Sequence, residues 1–180
     1  MTEKDRKALL KIARETVKSG FSAEKYLPAK PESVFLLSKR GAFVTIHGKN
    51  GVLRGCIGMM QSDLPLYQTV RDMALEAAFN DSRFDGIKAS ELESLRFEIS
   101  VLTPFKKIKD PKEIELGKHG VMVKQGASSG VFLPQVALET GWGIEEFMGH
   151  LCEGKAGLSF DCWKNGKADI YTFEAEIIQE

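Results

Sequence analysis

A chain of 180 residues with 43% apolar and 28% charged side chains has the balance of a globular domain, long enough to bury well over half of its unfolded surface. Its 25 basic and 25 acidic residues cancel and no compact Lys/Arg block stands out, so nucleic acid is not an expected partner. The apolar runs are too short and too often broken by charge to span a bilayer.

The N-terminal stretch Thr2-Glu3-Lys4-Asp5-Arg6-Lys7 lacks the apolar core of a signal peptide, which predicts a cytoplasmic setting. From about Thr2 to Lys18 the residues Leu9, Leu10, Ile12, Ala13 and Val17 fall on one broad helical face, and Ser19-Gly20 supplies a stop. Pro28 and Pro31 bracket an irregular link that leads through Val34-Phe35-Leu36-Leu37 to the first strand.

Ala42 to His47 and Val52 to Met59 are β-type runs around Gly48-Lys49-Asn50-Gly51, a strong hairpin signal. With an even loop, Phe43, Thr45 and His47 share a polar face with Arg54, Cys56 and Gly58, while Ala42, Val44, Ile46, Leu53 and Ile57 face a core. An odd loop would break this grouping. Asp63 is a candidate cap for the next helix, where Leu66, Val70, Met73, Ala74 and Ala77 recur at helical spacing. In the turn Ser82 to Gly86, Phe84 is the candidate anchor, and Phe97, Ile99 and Val101 then alternate with Glu98 and Ser100 in a half-buried strand.

Lys106 to Lys118 reads as irregular or edge-like, and His119 to Lys124 with Val131 to Leu133 as a second hairpin joined by Gly126 to Gly130. A short helix opens at Pro134 and closes at Gly141, and the next begins at Gly143 with Ile144, Phe147, Met148, Leu151 and Cys152 on one stripe. The last strand, Ile170 to Ile178, is expected to turn Tyr171, Phe173, Ala175 and Ile177 to one side. Hairpin-linked strands with helices between them predict an α+β fold with a largely antiparallel sheet.

Leu53-Arg54-Gly55-Cys56-Ile57-Gly58, Asp81-Ser82-Arg83-Phe84, Glu91-Leu92 and Ser100-Val101-Leu102 stand in an order and spacing similar to the AmmeMemoRadiSam system protein A family, also called the AMMECR-one domain family. Gly117-Lys118-His119-Gly120, Leu133-Pro134-Gln135-Val136, Gly141-Trp142 and Lys155-Ala156-Gly157-Leu158 extend the resemblance over nearly the whole chain. It implies a single domain over 1–180, built as two lobes around a cleft with the cysteine motif at or near it. It also implies association with a dioxygenase-like and a radical SAM component, and no established activity comes with it. The chain departs from the family pattern at Ser82, Ser159 and Gly143, which are backbone positions.

Two glycines in one strand mark a bulge or a close backbone approach, so Gly55 and Gly58 are candidate ligand-binding positions beside Cys56. A thiolate is favoured by nearby positive charge, which makes Cys56 a candidate nucleophile with His47 as its base. The planar fork of Arg54 suits a carboxylate or phosphate, its structural alternative being an internal pair with Asp81 or Glu98. Asp81, Arg83 and Lys155 are supporting polar groups, with a turn-closing Asp81–Arg83 pair and a helix-end lysine as their structural readings.

Three cysteines without a CxxC spacing argue against a disulfide framework or a zinc site, so all three are expected to be reduced. His47, His119 and His150 include no ligand-spaced pair, so no metal is expected; which cofactor, if any, the chain uses is not given by its residues. The reading that follows is an enzyme or enzyme-system component that binds a small anionic ligand. The alternatives are a non-catalytic protein-interaction adaptor and, third, a nucleic-acid-binding regulator.

Overall fold

A computed structural model of the chain describes residues 1–164 and 166–180. The fold is α+β, and its contacts divide it into two units, Met1–Leu102 with Glu176–Glu180, and Thr103–Ala175.

In the first unit, α1 (Glu3–Ser19) starts at a reciprocal cap: the Thr2 hydroxyl accepts the Asp5 N–H at 3.2 Å and the Asp5 carboxylate accepts the Thr2 N–H at 3.0 Å. Its apolar face, Leu9, Ile12, Ala13 and Val17, is buried. The segment read as an irregular link contains one helical turn, α2 (Val34–Leu37), capped by Ser33. Strands β1 (Ala42–His47), β2 (Leu53–Met59), β3 (Arg96–Leu102) and β8 (Ala175–Gln179) form a sheet in the order β2-β1-β3-β8, so β2 is an edge. Between β2 and β3 runs α3 (Leu66–Phe79). Helices α1 and α3 pack on each other and on the sheet face carrying Val44, Ile46, Phe97 and Ile99, none more than 1% exposed. Each such side chain taken from water contributes about 1.5–3 kcal/mol before entropy is counted.

Two local expectations change here. Helix α3 has no side-chain cap, and Asp63 instead stands 3.9 Å from Lys39. The turn after α3 is anchored by Ile87, 4% exposed, while Phe84 stays half-buried under the Arg83 guanidinium. An aromatic that carries a cation on its face keeps that face near water, so the aliphatic side chain enters the core.

The second unit holds a sheet in the order β4-β7-β5-β6, from β4 (Lys106–Ile108), β5 (Gly120–Gln125), β6 (Ser128–Phe132) and β7 (Asp169–Phe173). The second hairpin turns on Gly126-Ala127, and Ser128 to Gly130 belong to the strand rather than to a loop. Helices α4 (Pro134–Thr140) and α5 (Ile144–His150) follow, α4 ending at Gly141 in the left-handed conformation (φ 68°). Phe147, Met148, Leu151 and Cys152 are fully buried, as their spacing predicts.

The C-terminal strand is broken at Glu174: residues 169–173 pair in the second unit's sheet and 175–179 in the first unit's. The side-chain alternation restarts at that break. Ile177 is therefore 49% exposed, whereas Ile170, Thr172, Phe173 and Ile178 are buried. The cysteine expectation is also corrected, because Cys152 and Cys162 form a disulfide. A one-turn π-helix, Leu151–Lys155, and the segment after it fold back so that the two Cα atoms stand 6.1 Å apart, a return that residue counting does not reveal.

Candidate functional site

Strand β2 pairs antiparallel with β1, Phe43 opposite Gly58 and Thr45 opposite Cys56, as the even-loop grouping predicts. Between Ile46 and His47 the register slips, so His47 faces Leu53 and Arg54 becomes the extra residue of a bulge. The turn accommodates this with Asn50 and Gly51 at positive φ.

Cys56 is half-buried, and its Sγ stands 3.2 Å from Thr45 Oγ1. Its backbone groups point away from β1, since both are bonded elsewhere. The Asp81 Oδ2 accepts the Cys56 N–H at 2.9 Å, and the Arg83 Nη2 donates to the Cys56 carbonyl at 3.1 Å. Two side chains from the turn after α3 thus occupy the bonding positions that a further strand would take, which closes this point of an exposed edge.

The same two side chains grip each other. Arg83 Nε and Nη2 donate to the two oxygens of Asp81 at 2.9 and 2.7 Å, and the Arg83 N–H donates to Oδ1 at 3.2 Å. The Asp81 carboxylate is 3% exposed, whereas the Arg83 side chain is 56% exposed. Arg83, with the Cys56 and Arg83 N–H groups behind it, holds the Asp81 carboxyl far below the ordinary carboxylate range despite burial. In turn the Arg83 guanidinium is held charged chiefly by its hydrogen bonds to Asp81.

Arg54 pairs with neither carboxylate considered from the sequence. It makes a two-pronged bond to Glu91, Nε to Oε1 at 2.7 Å and Nη2 to Oε2 at 3.2 Å, and its Nη2 also donates to the Asp85 carbonyl at 3.3 Å. Glu91 further accepts the Lys88 N–H at 2.8 Å, and its carboxyl lies below its usual range because of Arg54 first and that N–H second. The charge of Arg54 is therefore already met.

Gly55 and Gly58 are explained by close approach on opposite faces. A Cβ at Gly55 would stand 1.9 Å from the Ala77 carbonyl oxygen of α3, and one at Gly58 would stand 2.3 Å from the Phe43 ring. Glycine at 55 lets α3 lie against the strand, and at 58 it gives the Phe43 ring its place.

The polar face continues across β1 onto β3, where Glu98 is opposite Thr45 and Ser100 opposite Phe43. Within the first unit the structure thus brings together Cys56, Asp81 and Arg83, with Gly55, Gly58 and Arg54 on the same strand. His47 is at the hairpin end, its Nδ1 donating to the Gly51 carbonyl at 3.3 Å, and none of its hydrogen bonds reaches Cys56. Lys155 belongs to the second unit, its ammonium 5.9 Å from the centroid of the Phe132 ring. Thr45 and Glu91 carry no functional role in the sequence reading. Thr45 could have been found from the hairpin register, but the partnership of Glu91 with Arg54 spans 37 positions and has no local signal.

Among the described residues no group of three His, Cys, Asp or Glu side chains is placed to hold a metal ion. His119 accepts the Glu115 N–H at 3.1 Å, and the His150 ring lies 4.3 Å from that of Trp142 and 5.7 Å from that of Phe160. No helix among the described residues is long and apolar enough to cross a membrane.

The AMMECR1 family model matches residues 10–178. Protein NEQ441 of Nanoarchaeum equitans is 41% identical over 178 residues, covering 96% of this chain and 98% of that one. Protein Mbar_A1807 of Methanosarcina barkeri is 43% identical over 190 residues, covering 100% of this chain and 92% of its own. The crystal structure of the uncharacterized protein PH0010 from Pyrococcus horikoshii is similar at a TM-score of 0.83 with 35% identity, over 100% of this chain and 93% of that one.

Proposed function

The chain belongs to the AMMECR1 family, and we propose that it acts as an enzyme or enzyme-system component on a small anionic ligand bound at the polar face of β2, with Cys56 as the reacting group. One observation carries this reading: a half-buried free thiol lies beside an arginine that stays more than half exposed although its inner edge is bound to Asp81. Positive charge next to a thiol favours the thiolate, and an arginine open to solvent can take an oxyanion without first breaking a buried pair. Both arginines are paired with a carboxylate, and the anion-binding role moves from Arg54, 20% exposed, to Arg83, 56% exposed with its outer edge open to solvent.

In this reading Asp81 fixes both the backbone of Cys56 and the direction of Arg83, and Arg54 with Glu91 holds the turn that delivers them. A functional link to dioxygenase-like and radical SAM components, and a cytoplasmic setting, are part of the same proposal. The test is protection. Inorganic phosphate or a small carboxylate should slow iodoacetamide labelling of Cys56 in the wild type and have no effect on the rate in Arg83→Gln. Labelling that is indifferent to anions in both proteins would remove the anion site.

A further inference from the structure

The second unit holds a cavity of about 740 Å³, lined by the turn after β4, the start of α5 and Trp163. That volume lies in the range of small-molecule sites. Its apolar wall is the outer surface of the unit's own core, where Ile114 and Trp163 are each 9% exposed and Ile144 packs half-buried against the same cluster.

Three lysines, Lys109, Lys112 and Lys164, also line the cavity, and their charges are not met alike. Lys164 pairs with Glu145 at 2.5 Å and Asp161 at 3.2 Å, and its ammonium stands 5.1 Å from the centre of the Trp163 ring. The lysines of β4 are paired as well, Lys106 with Glu113 at 3.2 Å and Lys107 with Asp169 at 2.7 Å. Lys109 and Lys112 have no ion pair among the described residues. Asp110, between them in sequence, is engaged by the backbone, its Oδ1 accepting the Lys112 N–H at 2.9 Å.

The tryptophan is a second, independent observation. Its Nε1 is buried and has no hydrogen-bond partner. A buried N–H without an acceptor costs free energy that a phenylalanine would not. What the indole adds in its place is a broad, electron-rich face, suited to flat rings and to cations such as Lys164.

We propose that this cavity binds a small aromatic carboxylate, its ring against Trp163, Ile114 and Ile144 and its carboxylate on Lys109 and Lys112. The inference stands apart from the anion site at Cys56 and Arg83. An aromatic body covers the apolar wall, and a single negative charge meets the two unpaired lysines. A neutral ring would leave those lysines unmet, and a bare inorganic anion would leave the wall in water. Lys109 and Lys112 are exposed on flexible stems, so they close on the carboxylate as point charges rather than as a rigid fork.

The probe is 2-naphthoate, with neutral 2-naphthamide and inorganic phosphate for comparison, titrated into the folded, oxidised full chain. The signal is the indole N–H resonance of Trp163, assigned by its loss in Trp163→Phe. 2-Naphthoate should shift it saturably with a Kd below about 1 mM, 2-naphthamide should bind about tenfold more weakly, and phosphate should leave it in place. Lys109→Gln combined with Lys112→Gln should bring 2-naphthoate down to the affinity of 2-naphthamide. Both positions are exposed, so the double variant should fold as wild type does. Lys106→Gln removes a paired lysine that does not line the cavity and should change neither affinity.

Equal affinities for the two naphthalene ligands, a shift by phosphate alone, or as large a loss in Lys106→Gln as in the double variant would overturn the aromatic carboxylate site. A Trp163 signal that stays in place up to about 10 mM 2-naphthoate would do the same. None of these outcomes bears on the reading of Cys56, whose test is separate.

Discussion

The carboxylate of Asp81 accepts the backbone N–H of Cys56 at 2.9 Å, across 25 positions of sequence. Because Arg83 is bound to that carboxylate and donates to the carbonyl of Cys56, one acidic side chain fixes the strand and the cation together. The consequences are measurable.

Removing the Asp81 charge should cost stability in a pH-dependent way. Its folded pKa is depressed, so its contribution is fully present above the ordinary aspartate value of about 4 and is lost as pH falls toward its lowered folded value. Asp81→Asn should be less stable than wild type by about 2 kcal/mol at pH 7, from urea unfolding, with the gap narrowing as pH is lowered below about 4. A gap that stays constant down to pH 2 would show that the carboxylate charge is not what stabilises the edge.

Arg54 and Glu91 should couple. Both side chains are under a third exposed and the bond is two-pronged, which places the interaction near the upper end for partly exposed pairs, at about 1 kcal/mol in a double-mutant cycle of Arg54→Met and Glu91→Gln. Additive losses would mean that the two residues act separately.

Gly55→Ala drives a methyl into the Ala77 carbonyl, a backbone atom that cannot swing aside. The expected loss is about 1–3 kcal/mol in chemical denaturation. Gly86→Ala is the control, as its nearest neighbours stand at 3.9 Å and the change should stay within about 0.5 kcal/mol.

The Cys152–Cys162 bridge joins positions 10 apart and is buried at both ends. Reduction should lower the stability of residues 103–175 by about 2–3 kcal/mol. Intact-mass analysis after alkylation should find one labelled cysteine in the native oxidised protein and three after reduction and unfolding. Three labels without reductant would contradict the bridge.

Much of the fold was legible because hydrophobic period and turn chemistry are local. Leu9 to Val17, Leu66 to Ala77 and Phe97 to Val101 announce their burial by spacing alone, and the AMMECR1 resemblance follows from short motifs. What was not legible depends on the chain meeting itself. A bulge at Arg54 moves His47 out of register with it, a break at Glu174 hands one apolar run to two sheets, and a π-turn brings two cysteines together. The site shows the same division. The pairing of Thr45 with Cys56 follows from the hairpin, whereas the Asp81 clasp and the Glu91 partner are set by where the turn after α3 returns to the edge of β2.

An exposed Arg83 guanidinium that draws anions to the Cys56 thiol should distinguish two alkylating agents of similar size there. Iodoacetate carries a negative charge and iodoacetamide none. The iodoacetate-to-iodoacetamide rate ratio at Cys56 should be several-fold higher than for a small free thiol, be largely retained in Arg83→Lys and fall to the free-thiol value in Arg83→Gln. A ratio at Cys56 equal to that of the free thiol, unchanged by either substitution, would contradict it.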